Sequence, residues 1–311
     1  MKINCALFYF SQTGGTKKIA ELIAKSFQDS GHKCELFRFT KKNKDIEMVK
    51  DFDFSSINLI GIGIPVYYFQ PPYHIFDILN EFPDLSGKFG FLFCTSGGAP
   101  HSTLYQMKQV LDKKGLRIIE GNDKVKCLDK HPFYRDFDYV FPPSIGHPNE
   151  NDLIISQNFA EAVINKVTEE DPNEKLDFWK KKNVFAQLMD FEGLNSTFPD
   201  FSVNTSKCTQ CKLCMRICPV DCIELSPYPK WTKSCDRCYL CEMKCPENAI
   251  ECDWDAMVSF MNRLMKKKGF IPKEKPKYSL KRKIHIWKKL LQISMAYLKV
   301  RLGMKRRTIK S

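Results

Sequence analysis

The sequence predicts an α/β fold, a doubly wound parallel sheet of five strands, joined to a second, smaller unit built on cysteines and to a basic tail. Three observations carry this expectation. Apolar runs alternate with helical spacings through the first half of the 311 residues, a pattern that calls for a parallel sheet covered on both faces. Between Phe201 and Asp255 the periodicity vanishes and cysteine takes over. From Asn262 onward the chain carries 18 Lys and Arg against one acid, Glu274, so the remainder is net −4 within a total of +13.

The elements follow in order. Ile3 to Phe10 is an apolar, aromatic-rich run that suits a buried strand. Ile19, Leu22, Ile23 and Phe27 then recur at helical spacing. Cys34 to Phe39 alternates as a strand, Ile57 to Ile64 reads as a third, and Phe89 to Cys94 as a fourth. Ile75, Leu79 and Phe82 suggest a helix between the last two. Leu104, Met107, Val110 and Leu111 suggest another, before a fifth strand over Arg117 to Glu120 with Val125. A final helix spans Leu153 to Val167. The longest stretch without a charge, Phe54 to Phe76, is long enough for a membrane span, but Gly61, Gly63, Pro65, Pro71 and Pro72 break it. A buried strand and a loop explain it better. Residues 170–200 are charged and carry Pro172, Gly193 and Pro199, which reads as a connector with one short helix. The boundaries expected are 1–169, 170–200, 201–255 and 256–311.

Of fourteen cysteines, eight form two runs between Cys208 and Cys245. Met1-Lys2 leads into a short apolar run that soon meets Ser, Thr and Gly, which does not read as an export signal. Clustered Cys-x-x-Cys spacing then points to metal binding in a reducing cytoplasm. Cys208–Glu224 repeats as Cys235–Glu251, an offset of 27, and both copies read C-x2-C-x2-C-x3-C-P. Three thiolates at that spacing can wrap one face of an iron–sulfur cube; the fourth lies too far along the local turn. A zinc module is the alternative, but it gives no reason for two triplets each followed by x3-C-P. The segment resembles bacterial ferredoxins with two [4Fe–4S] clusters, small α+β domains in which the fourth cysteine of each run ligates the other cluster. The resemblance implies one cluster on Cys208, Cys211, Cys214 and Cys245, and another on Cys235, Cys238, Cys241 and Cys218. Cys222 and Cys252 fall outside the pattern, and Cys222 reads as a small buried hydrophobe.

Ser11 to Thr16 lies between the first strand and its helix, where backbone N–H groups make an anion site. Gly14 and Gly15 permit close approach, and Ser11, Thr13 and Thr16 add hydroxyls. It is neither a Walker A loop nor the glycine pattern of dinucleotide folds. Leu7, Phe8, Tyr9, Ser11, Gly14, Thr16 and Ala20 stand at the intervals of the flavodoxin signature, and the resemblance extends over about residues 1–168. It implies a flavodoxin-like sheet with FMN outside the carboxyl ends of strands one and three, its phosphate on Ser11, Gln12, Thr13, Gly14, Gly15 and Thr16. Two further loops are expected at the ring. In Pro65, Val66, Tyr67 and Tyr68, one of the tyrosines would stack on the isoalloxazine. Thr95, Ser96, Gly97 and Gly98 would offer backbone groups to its edge. That third loop lacks the aromatic often found there, which implies a looser hold on the ring.

In the tail, Ile284, Trp287, Leu291, Met295, Leu298 and Leu302 form one helical stripe, and Ile286, Leu290, Ile293, Tyr297 and Val300 a second. So broad an apolar arc favours a helix packed on the body, over an interfacial helix on anionic lipid or a dock for an acidic redox partner. Nucleic acid is not expected, for want of any reading motif. The whole chain is similar to flavodoxin–ferredoxin fusions of anaerobes. That implies an electron carrier holding FMN and two [4Fe–4S] clusters, working with redox protein partners, with no catalytic residues of its own. The alternatives are a flavin-dependent reductase of a small molecule, and a cluster-only ferredoxin whose first domain merely docks partners. The expected location is cytoplasmic, with the membrane surface open to the basic tail.

Overall fold

The computed structural model describes residues 2–138, 144–168, 176 and 191–269. Five strands form one sheet: β1 (Asn4–Phe10), β2 (Lys33–Phe39), β3 (Leu59–Pro65), β4 (Phe89–Thr95) and β5 (Arg117–Asn122). Their order is β2-β1-β3-β4-β5, and every neighbouring pair is parallel. This is the doubly wound, flavodoxin-like arrangement expected, with the switch point between β1 and β3.

Helices cover both faces. On one, α2 (Lys42–Asp51), α3 (Tyr73–Asn80) and α4 (Thr103–Asp112) bury Val49, Ile75, Ile78, Leu104 and Met107 against Phe8, Ile60, Ile62 and Leu92. On the other, α1 (Gly15–Asp29) and α5 (Glu150–Thr168) bury Ile19, Ile23, Phe159 and Val163 against Leu7, Phe91 and Phe93. Two glycines of β3 set the packing of that second face. They sit in register with the phenylalanines of β4, Gly61 beside Phe91 and Gly63 beside Phe93. A Cβ at Gly63 would fall 2.0 Å from the Phe93 ring, so the large ring needs the missing side chain. The uncharged stretch that was long enough for a span is β3, a loop and α3. Among the described residues no helix is long and apolar enough to cross a membrane.

The C-terminal part is α+β, built from two short antiparallel pairs. β6 (Phe201–Val203) pairs with β9 (Ile250–Cys252), and β7 (Ile223–Leu225) with β8 (Pro229–Trp231). The sequence repeat is also a repeat of structure. Helices Leu213–Ile217 and Leu240–Lys244 occupy matching positions, as do β7 and β9. Gln210, Lys212 and Asp221 have left-handed backbone, and so do their counterparts Arg237, Tyr239 and Asn248. A helix over Asp255–Lys267 follows; the tail stripes from Ile284 to Leu302 lie outside the described residues.

Candidate functional site

The loop after β1 is built to receive an anion. Gly14 takes φ 97° at the start of α1, and no side chain caps the helix, so the first-turn N–H groups point out of its N-terminus. Ser11 is 2% exposed, and its Oγ has no hydrogen-bond partner among the described residues. A buried, unpaired hydroxyl is costly unless a ligand completes it. Thr16 Oγ1 lies 2.8 Å from Thr95 Oγ1, tying this loop to the end of β4. Arg38 donates to the Ser11 carbonyl at 3.1 Å, which brings a guanidinium beneath the loop. Cys127 closes the floor: a Cβ at Gly15 would come within 2.9 Å of its Cβ. Donors, positive charge and a cradle that admits only glycine fit a phosphate group.

The second and third loops are joined, Val66 N–H donating to the Thr95 carbonyl at 2.9 Å. Tyr67 and Gln70 exchange both backbone hydrogen bonds at 2.9 Å, closing a turn whose central residues, Tyr68 and Phe69, have φ 49° and 67°. Two aromatics in left-handed backbone are an unfavourable choice for such a turn, and their hydroxyl and ring contacts compensate. The Tyr67 hydroxyl donates to Gln12 Oε1. That of Tyr68 donates to the Arg237 carbonyl at 2.6 Å and lies 3.1 Å from His131 Nε2. Phe69, which the sequence did not single out, meets His101 of the third loop, ring centroids 4.8 Å apart. Thr95 and Ser96 are buried. The N–H groups of Ser96 and Gly98 are already taken, by the Val125 carbonyl and by Ser96 Oγ.

The cysteines fall into two groups. Cys214 shares its surroundings with Cys211 and Cys208, and Cys245 and Cys214 both pack on the core of the small domain. Cys238 and Cys241 share theirs with Cys235, and Cys241 also with Cys218. Burial, and then the neighbouring sulfurs, push the thiols of Cys238 and Cys241 well up. Iron would therefore have to displace protons on binding, as thiolate sites require. Eight thiols in two runs, with Cys218 of the first run beside Cys241 in the helix of the second, are the donor chemistry of iron–sulfur clusters. Cys222 is buried as expected, but it does more than fill space. Its Sγ lies 3.5 Å from Cys218 Sγ, and it also contacts Cys235. The contact with Cys222 pulls the Cys218 thiol down.

A seam joins the two halves, and it runs through both candidate sites. Gln12 Nε2 donates to the Cys238 carbonyl at 2.9 Å. Asp236, between Cys235 and Cys238, is buried against His74, accepting from its backbone N–H at 3.3 Å and lying 2.5 Å from its Nδ1. Arg135 pairs with the buried Glu242, Lys41 with Asp221, and Lys42 N–H with the Pro219 carbonyl at 2.8 Å. Phe137, Tyr239, Trp254 and Val258 form an apolar cluster across it. The His131 ring sits 5.0 Å from Tyr239 and 5.1 Å from Trp254. Enclosure, and then the charge of Arg135, hold His131 down at about 3. As sequence, His74 and His131 read as scattered residues; no local signal marks them, since Asp236, Tyr239 and Trp254 lie more than a hundred positions away.

A flavodoxin domain model matches residues 6–127, and a 4Fe-4S binding domain model matches residues 201–224 and 228–251. Among solved structures, the chain is similar to flavodoxin 2 from Bacillus cereus at 20% identity and TM-score 0.40, over 52% of this chain and 99% of that one. It is similar to the flavodoxin of Streptococcus pneumoniae TIGR4 at 16% and 0.37, over 52% and 98%. It is also similar to the rubredoxin:oxygen oxidoreductase of Desulfovibrio gigas at 18% and 0.35, over 54% and 38%. No curated protein matches the chain. The protein thus joins an N-terminal flavodoxin domain, which implies FMN, to a C-terminal 4Fe-4S ferredoxin domain whose two segments imply two [4Fe–4S] clusters, a combination of electron-transfer domains.

Proposed function

We propose that the chain is an internal relay, passing electrons between its flavin and its two clusters and exchanging them with separate redox proteins. Residues 1–169 form the flavin domain, 170–200 the connector, 201–255 the cluster domain and 256–311 the basic tail. The single observation that carries this reading is the hydrogen bond from Gln12, in the phosphate loop, to the carbonyl of Cys238, in the second cysteine run. FMN exchanges electrons singly or in pairs and a [4Fe–4S] cluster singly, so the cofactors carry the chemistry and the protein positions them.

The chain's own residues do the positioning. Ser11, Thr13, Thr16 and the N–H groups of Gly14 and Gly15 would hold the phosphate, with Gln12 bridging to the cluster loop. Cys235, Cys238, Cys241 and Cys218 would hold the cluster nearer the flavin loops, and Cys208, Cys211, Cys214 and Cys245 the outer one. Tyr68, anchored on the Arg237 carbonyl, and the buried pair of His74 and Asp236 keep the inner cysteine loop seated. These contacts tie the two loops to one another, which favours a fixed separation over a diffusing encounter.

Acid extraction of anaerobically purified protein tests the reading. One FMN and about eight irons per chain are expected, the content of two cubane clusters. Iron without FMN overturns it. So does steady-state turnover of a small organic acceptor in the absence of any protein partner, which would make the chain a reductase.

A further inference from the structure

The internal repeat provides its own control for what an uncovered cysteine loop looks like. At the offset of 27 residues, Gln210 and Lys212 match Arg237 and Tyr239, and all four share left-handed backbone, φ 54°, 62°, 51° and 53°. Their surroundings are opposite. Tyr239 is fully buried in the seam and Arg237 nearly so, its guanidinium bonded to Asn195, Asp200 and the Pro199 carbonyl. Gln210 and Lys212 are exposed. Thr209 is exposed where Asp236 is buried on His74, and Arg216 is exposed where Met243 is half-buried. Cys211 lies exposed at the centre of this open loop, whereas its counterpart Cys238 is half-buried and bonded through its carbonyl to Gln12. Among the described residues, the same loop is closed in one copy by the chain itself and left open in the other.

The open copy is basic. From Thr205 to Val220 the sequence has Lys207, Lys212 and Arg216 and no acid. Lys207 is neutralised by Glu251 at 3.0 Å. Lys212 and Arg216 form no ion pair among the described residues, and the Arg216 guanidinium reaches only the Cys211 carbonyl, at 3.5 Å. Beside Cys245, exposed Lys244 and Glu247 carry opposite charges. Two unpaired cations beside an exposed cysteine loop favour a surface rich in carboxylates. A neutral or basic surface would desolvate the same charges without compensation.

We propose that the loop Cys208–Cys214, with Lys212 and Arg216, is the docking face for a small acidic redox protein. The proposal rests on the reading that these cysteines hold the outer cluster. Its test uses the full-length holoprotein, with iron and flavin content measured first, titrated anaerobically at low ionic strength with an acidic two-cluster ferredoxin as probe. Cytochrome c serves as the basic counter-probe. In Lys212→Glu/Arg216→Glu, affinity for the acidic probe should fall about tenfold or more, and its salt dependence should flatten. Lys230→Glu/Lys233→Glu makes the same charge change on exposed lysines around β8 and should cost far less. Equal affinity in the first variant and the parent overturns the proposal, as does an equal loss in both variants or preferential binding of cytochrome c. Self-association of the parent that the first variant abolishes, without binding of the acidic probe, would assign the face to a second copy and overturn it as well. The two failures are distinguishable. Iron present with binding unchanged removes the docking face alone; iron absent from the parent removes the cluster reading, and the docking face with it.

Discussion

The two halves of this molecule solve the problem of a core in different ways. The sheet domain buries phenylalanine, isoleucine and leucine on both faces of five strands, and that apolar area suffices for a domain of its length. The cysteine domain has strands of three residues, and four of the six residues at its buried centre are Cys218, Cys222, Cys235 and Cys241. Thiols are poor substitutes for isoleucine in a unit this small. What the sheet domain obtains from water-excluded hydrocarbon, the cysteine domain must obtain from metal–sulfur bonds and from its seam with the sheet. The difference teaches that one chain can hold a self-sufficient fold and a conditional one.

Removing iron should break the comparison most visibly. Chelation under oxidising conditions is expected to unfold residues 201–252 cooperatively while β1 to β5 persist. Amide hydrogen exchange checks this: the small domain should lose protection almost entirely, and Leu59–Pro65 should keep it. Retained protection over β6 to β9 in the iron-free chain would show that the seam alone holds the domain.

The opposite break starts in the sheet. Gly63→Ala places a methyl 2.0 Å from Phe93 Cζ, and neither β3 nor β4 can move without disturbing its neighbours. Overpacking of this kind costs about 3 kcal/mol, read as a lower urea midpoint for the flavodoxin-domain transition. Cluster absorbance should be unchanged below that midpoint, and a drop in cluster content at zero urea would contradict the separation of the two cores.

What was legible in the sequence follows from the range of the interactions. The strands and most helices announce themselves through local period, and the cysteine runs through spacing. Helix α2 was not anticipated: within KNKDIEMVKD only Ile46, Met48 and Val49 are apolar, too few to stand out from a charged loop. The seam is illegible for a different reason. Gln12 and Cys238 are 226 positions apart, and Tyr68 and Arg237 are 169 apart. Either Tyr67 or Tyr68 reads as a flavin-stacking aromatic; the Tyr68 hydroxyl is anchored on the cluster loop, a contact no local pattern encodes. Phe69 was not singled out and His101 reads as one more scattered histidine, because each looks ordinary until the turn and the third loop bring them together.

The mildest way to sharpen the comparison is acid, which should loosen the seam before either core. The His131 ring is enclosed by Tyr68, Tyr134, Phe198, Tyr239 and Trp254, and its value is lowered to about 3 by that enclosure and then by Arg135. A separated seam would let the imidazole protonate near its usual value of about 6.5. Between those limits the open state binds a proton that the closed state does not, so each unit of acidification favours opening by at most about 1.4 kcal/mol. The stabilisation is complete above about pH 6.5 and is lost as pH falls toward 3. Asp129 and Glu242, both raised by burial, act in the opposite sense. They take up protons in the closed state first, so the net slope is shallower than His131 alone would give. Hydrogen exchange in the helix Asp255–Lys267, which carries Val258 into the seam, should therefore accelerate between pH 6.5 and 4.5 while β3 stays protected. In His131→Leu the acid-dependent acceleration should be sharply reduced, because the enclosed imidazole that gains a proton on opening is gone. An unchanged pH slope in that variant would place the acid sensitivity in the cysteine domain itself, and the seam would then be a consequence of its folding rather than a separate support.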